Sequence, residues 1–252
     1  MPTHSQHPLS PAPTSPLKAK AQLLAHSFHT QLGKHTSFTD LPLTPHGTSL
    51  VTHTAKTLLG PNLPIDPSRI KKIYVSPRLR AQQTLELLGL DTTSHDNGTA
   101  SSSTATADGT SAIPVETTDL LTEMNYGEYE GLKTSEIYAR DPAGKAFGTW
   151  TTGYAHVGGE SAAQVSKRID ELIEQIRREV HVPCWGQERQ DVLVVAHGHV
   201  LRALGARWME MGVEMARALQ LDAGGVSVLG YEHHRVEEPA VVRWNVLDQG
   251  TP

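Results

Sequence analysis

The chain has 252 residues, a formal net charge of −5 and 38% hydrophobic residues, which fits one large domain or two small ones. The acidic balance argues against nucleic acid or an anionic membrane as the main partner, since both favour basic stripes. A single cysteine, Cys184, excludes an internal disulfide and a thiolate metal cage.

No apolar run approaches the ~18 residues of a membrane span. The first 30 residues lack the apolar stretch of a secretory signal. A cytoplasmic globular protein is the expectation.

Residues 1–19 are rich in Pro, Ser, Thr and His and read as a disordered leader. One domain is expected from 20 to 248, with a low-complexity Ser/Thr/Gly-rich surface insert at about 92–113. Gln22 to Ala25 is a short apolar run suited to a first strand. Thr44-Pro45-His46-Gly47 marks a helix start, with helical material through Leu59. Lys72 to Val75 reads as a strand closed by Ser76-Pro77, and 79–89 has helical spacing.

Glu160 to Val180 is the clearest amphipathic helix, with Val165, Ile169, Leu172, Ile173 and Ile176 on one stripe. Asp191 to Ala196 is almost continuously apolar, as a strand buried on both faces should be. His199 to Met211 reads as helix; Gly225–Tyr231 and Val241–Trp244 have strand composition. This alternation implies an α/β fold, a three-layer α/β/α sandwich with a mostly parallel central sheet. In such sheets chemistry collects beyond the carboxyl ends of the strands.

Three segments carry chemistry. In VLVVAHGHVLRAL a buried strand ends at Ala196, His197-Gly198 turns, and a helix begins. Its free N–H groups suit an anion such as phosphate. The His197-x-His199 spacing lacks a nearby carboxylate to complete a hydrolytic metal site, so no metal is expected. In YVSPRLRAQQT a strand again gives way to a helix, now with Arg78 and Arg80 near its start. A guanidinium fork binds phosphate bidentately and stays charged at any working pH. In LTEMNYGEYEG three glutamates lie among glycines, and a carboxyl there could act as a general acid if its pKa were raised.

Taken together, SPRLRAQQT, LTEMNYGEYEG, GGES, AHGH and the segment GKHTSFTDLPLTPHG resemble the histidine phosphatase superfamily, the phosphoglycerate mutase-like proteins. The C-terminal LDAGG…HH, Leu221 to His234, extends the likeness toward members of the sedoheptulose-1,7-bisphosphatase type. The resemblance implies a phosphatase of small phosphorylated sugars working through a phosphohistidine, without a cofactor. It assigns Glu123 as proton donor and His197 as second histidine. It assigns Arg80, Thr36 and Gly198 to phosphate binding. Arg78 is expected in solvent or at a second substrate phosphate, and Arg202 in solvent or against a carboxylate. His233-His234 is expected at the rim.

The family's first motif is Arg-His-Gly. Here the matching stretch reads Ala25-His26-Ser27, so His26 is the nominal nucleophile, without the usual arginine and glycine. His29 is a second substitute. Pro45-His46-Gly47 imitates the motif at a helix start and is expected at the surface. The break leaves three readings open: an active phosphatase, a pseudophosphatase that binds phosphorylated ligands or a protein, and a phosphomutase. A misassigned coding exon would also produce it.

Overall fold

The computed structural model describes residues 21–25, 34–94, 112–141, 145–187 and 190–247, with backbone alone for 21–25, 94 and 145–147. The expected leader, the body of the expected insert, His26 and His29 lie outside the described residues.

The first half runs β1 (Ala21–Ala25), α1 (Pro45–Leu58), β2 (Ile70–Val75), α2 (Leu79–Leu87), β3 (Thr92–Ser94) and β4 (Ile113–Thr117). The second half runs α3 (Thr134–Arg140), α4 (Ala162–Ile176), β5 (Asp191–Ala196), α5 (Gly198–Trp208), β6 (Val226–Tyr231) and β7 (Pro239–Val246). Seven strands make one sheet in the order β3-β4-β2-β5-β1-β6-β7. The pairs β1/β5, β2/β5, β2/β4 and β3/β4 are parallel. β6 lies antiparallel to both β1 and β7. Among the described residues no helix is long and apolar enough to cross a membrane.

β5 shows why the sheet is covered on both faces. Side chains alternate across a strand, and every residue of β5 is buried. Val192, Val194 and Ala196 join one core with the inner stripes of α4 and α5. Leu193 and Val195 join the other, with Val51 of α1 and Ala81 and Leu85 of α2. Each fully buried aliphatic side chain contributes roughly 1.5–3 kcal/mol of transfer free energy.

Local signals set the helix starts. Thr44 caps α1, its hydroxyl accepting the Gly47 N–H at 3.1 Å, with Pro45 following. Ser161 and Gln164 form a reciprocal capping box on α4. The stripe Val165, Ile169, Leu172, Ile173, Ile176 is buried as its spacing requires.

Four expectations need correction. Thr92–Ser94 and Ile113 are not part of a floppy insert. They belong to β3 and β4, where a parallel ladder satisfies their backbone groups. The α-helical form of α4 ends at Ile176, and Arg177–His181 continues as a wider π turn that buries Val180 and His181. α5 begins at Gly198, one residue earlier than expected. The short helix α3 was not anticipated.

Candidate active site

The site is built where parallel strands end. Ser76 follows β2, and its N–H donates to Val195 O at 3.0 Å, which locks the ends of β2 and β5 together. One residue past β5, His197 is fully buried, and its Nε2 shares a 2.8 Å hydrogen bond with Ser76 Oγ. Two strand ends thus present one polar pair at the sheet edge.

Arg80 stands in the first turn of α2 and is buried. Its Nη1 donates to Thr39 O and its Nη2 to Thr36 O, each at 3.3 Å. Thr36 therefore takes part through its carbonyl, as a brace for Arg80. Burial weakens the hold of the Arg80 guanidinium on its proton, while the Glu123 carboxylate facing it works the other way. Arg78 adds a second positive charge beside Arg80. Arg78 is half-buried rather than free in solvent.

The segment 36–39 is held from outside. Glu130 accepts the backbone N–H of Ser37 and Thr39 and both of their hydroxyls. His35 N donates to Leu132 O at 2.8 Å, and Gly131 N to His35 O at 2.7 Å. The acidic loop therefore supports the segment that supports Arg80.

Glu123 follows β4 through a 3-10 turn at Asp119–Leu121. Its carboxylate caps α5: Oε2 accepts the His199 N–H at 3.2 Å and Oε1 the Val200 N–H at 3.1 Å. Oε1 also accepts the Met124 N–H at 2.9 Å. The helix start expected to be an open anion cradle is thus already occupied by an internal carboxylate, which compensates the positive end of the helix dipole. Burial pushes the Glu123 carboxyl up. His199, His197 and the Met124 N–H outweigh it and hold the group far below the ordinary carboxylate range. Glu123 is ionised in this arrangement, whereas an acid must carry a proton.

His199 Nδ1 lies 3.7 Å from Glu123 Oε2 and 2.8 Å from Tyr126 Oη. Its ring packs beside Trp150 at 5.3 Å between centroids. Sequence reasoning weighed His199 only as a metal ligand; among the described residues no metal-holding cluster of three His, Cys, Asp or Glu occurs. Arg202 departs from expectation too. It donates to Ala216 O and Arg217 O and lies over the Trp150 ring at 4.9 Å, because burial requires partners for its donors.

Beside Glu123 opens a cleft of about 490 Å³ whose walls include Ser37, Arg78, Asn125, Gln164 and Arg168. Arg168 is already committed there, paired with Glu160 at 2.7 and 2.9 Å. His46 is exposed at the start of α1, as expected. His233 pairs with Glu238 at 2.7 Å in the turn before β7.

Glu123 is therefore within electrostatic reach of both Arg80 and His197. Ala25, the residue before His26 in sequence, pairs with Ala196, the residue before His197.

A model of the histidine phosphatase superfamily (branch 1) matches residues 99–247. Sedoheptulose 1,7-bisphosphatase of Saccharomyces cerevisiae is 32% identical, over 83% of this chain and 85% of its own. An acid phosphatase of Mycobacterium tuberculosis is 30% identical, over 80% of each chain. Among solved structures, a mycobacterial glucosyl-3-phosphoglycerate phosphatase superposes with a TM-score of 0.67 at 21% identity, over 91% of this chain and 100% of that one. The structure of a Mycobacterium tuberculosis open reading frame gives 0.66 at 25% identity, over 91% and 98%. With this fold and these matches, the chain belongs to the histidine phosphatase superfamily.

Proposed function

We propose that this protein is a phosphatase of small phosphorylated sugars. The observation that carries the reading is Glu123, within electrostatic reach of both Arg80 and His197 and on the wall of a cleft large enough for a sugar phosphate. Two of the relatives, a sugar bisphosphatase and an acid phosphatase, support a phosphatase, and the first of them a sugar phosphate as substrate.

In this reading the His26 imidazole attacks phosphorus and forms a phosphohistidine. The register that brings Ala25 level with Ala196 supports a histidine pair, His26 and His197, at one edge. The Arg80 fork, the His197 ring and the Gly198 backbone stabilise the equatorial oxygens as charge builds on them. Glu123 protonates the departing alkoxide, and water then releases phosphate from His26. A bound phosphoryl dianion raises the affinity of Glu123 for a proton, since nearby like charge disfavours the carboxylate.

A pseudophosphatase is the second reading, favoured by one observation: Ala25 and Ser27 stand where the family carries Arg and Gly. Losing that arginine removes a charge-assisted hydrogen bond worth ~1.5–3 kcal/mol. Incubation with a ³²P-labelled sugar bisphosphate separates the two. An active enzyme gives acid-labile phosphohistidine and free phosphate, and His26→Ala removes both. Ligand binding without label or release supports the pseudophosphatase. Label that survives His26→Ala rejects His26 as nucleophile.

A further inference from the structure

The Glu123 carboxyl borders the cleft but is almost wholly buried, its side chain 3% exposed, and the amides that start α5 favour its ionised form. A leaving alkoxide needs a proton at the Glu123 position, so that proton must arrive by a route. His199 touches Glu123 and also reaches solvent, with 26% of its side chain exposed.

We propose that His199 is the proton reservoir of Glu123, with the Tyr126 hydroxyl holding its ring in place in both protonation states. This deepens the phosphatase reading and rests on it. His199 acts through Glu123 and is a positioning residue in that sense.

The geometry serves both states of the ring. When His199 is neutral with its proton on Nε2, Nδ1 accepts from Tyr126 Oη at 2.8 Å. When it is an imidazolium, Nδ1–H donates and the Tyr126 oxygen accepts, while the positive charge lies 3.7 Å from Glu123 Oε2. Tyr126 keeps its own proton throughout, because burial and the Glu123 charge drive its pKa far up. The ring rests with Trp150 on one side and the Tyr126 ring 5.6 Å away edge-on, so it tilts within that frame rather than leaving it.

Other charges face the pair. His35 stands 6.3 Å from the His199 ring, Arg202 covers Trp150, and Arg80 and His197 act on Glu123. The basic groups favour the carboxylate, which is why binding of a phosphate dianion is needed to tip the proton across.

The step balances. As the P–O ester bond breaks and the N–P bond to His26 forms, the imidazolium of His199 swings its Nδ1–H from Tyr126 Oη toward Glu123 Oε2, 3.7 Å away at rest, and the proton passes to that oxygen. The Glu123 proton passes to the alkoxide, which leaves as alcohol. In the second half, water attacks phosphorus and the N–P bond breaks. The proton released by water returns through Glu123 to His199.

The test compares two leaving groups in wild type and His199→Gln. Para-nitrophenol departs without a proton; glycerol does not. General acid catalysis contributes about 10²- to 10⁴-fold, so His199→Gln is expected to lose at least ~10²-fold more kcat on glycerol 3-phosphate than on para-nitrophenyl phosphate. Equal losses, or none, overturn the proposal. Tyr126→Phe is expected to show the same asymmetry in weaker form.

A second readout needs no turnover. In protein carrying ¹³C-labelled glutamate carboxyls, Glu123 is expected to protonate at higher pH in His199→Gln than in wild type. An unchanged titration overturns the coupling. If wild type cleaves neither ester, the phosphatase reading fails, while the carboxyl titration still decides the pairing.

Discussion

Glu130 grips Ser37 twice over: its carboxylate oxygens accept the Ser37 backbone N–H at 2.9 and 3.0 Å, and one of them the Ser37 hydroxyl at 2.8 Å. The same carboxylate takes the Thr39 N–H and hydroxyl at 3.0 and 2.7 Å. Because Thr36 and Thr39 carry the carbonyls that brace Arg80, Glu130 fixes the proposed phosphate clamp from a distance. Glu130→Gln leaves one acceptor oxygen where two are used. The variant should lose about 1–3 kcal/mol in urea unfolding, in the range of hydrogen bonds to a charged group. Its affinity for orthovanadate should fall about 10-fold, which is about 1.4 kcal/mol. A stability loss with unchanged vanadate binding would show that the clamp stands without this brace.

Gly127 makes a separate demand on the acidic loop. Its φ is +56°, and a Cβ there would collide with the Val157 carbonyl and the Gly159 amide. Both obstacles are backbone, so neither can swing away. Gly127→Ala should destabilise the protein by about 2–4 kcal/mol, combining left-handed strain with overpacking. Gly131→Ala, also at positive φ but with open space around its Cβ position, should cost only the strain. Urea unfolding of the pair measures the difference; equal losses would remove the collision from the account.

What the sequence made legible follows from these particulars. β5 and α4 announce themselves because one run is apolar throughout and the other has an unbroken stripe. β4 does not: Pro114 interrupts it and only Ile113 and Val115 face the core beside a low-complexity stretch. α3 buries Ile137 alone, too little for a periodic signal. The segments that carry Arg80, His197 and Glu123 are named through their resemblance to family motifs. The service residues are not. Glu130 lies 93 positions from Ser37 in sequence, and nothing local marks which glutamate of three turns toward which loop. The capping of α5 by Glu123 was equally hidden, since a free helix start and an occupied one have the same sequence.

The join between β2 and β5 rests on an ion pair at the other end of the strands. Arg69 Nε donates to Asp191 Oδ2 at 2.9 Å and Nη2 to Oδ1 at 3.0 Å, with the Asp191 side chain wholly buried. Removing one partner takes the opposite charge away from the other, which costs about 3–5 kcal/mol in buried pairs. Arg69→Met should therefore lower the urea midpoint strongly. Arg69→Met combined with Asp191→Leu should recover much of the loss. A double variant no more stable than the single one would mean that the pair itself, and not the buried carboxylate left behind, sets the cost.

Acid should weaken the fold in two stages, set by His35 and Glu123. Burial lowers the His35 pKa and the charge of His199 lowers it further, with the Leu132 carbonyl opposing them. An unfolded histidine titrates near ~6.5, so on acidification the unfolded chain takes up its proton first. The His35 contribution is complete above that pH and is lost as pH falls toward the lower folded value. Glu123 is also depressed in the folded state, against ~4.3 when unfolded. Its contribution therefore survives to about pH 5 and fades only below ~4. Unfolding free energy measured from pH 7 to pH 3 should show His35→Asn flattening the slope between about 6.5 and 5, and Glu123→Gln flattening it only below ~4. A His35→Asn curve parallel to wild type through the upper window would mean that the ring exchanges its proton as freely in the folded protein as in the unfolded chain.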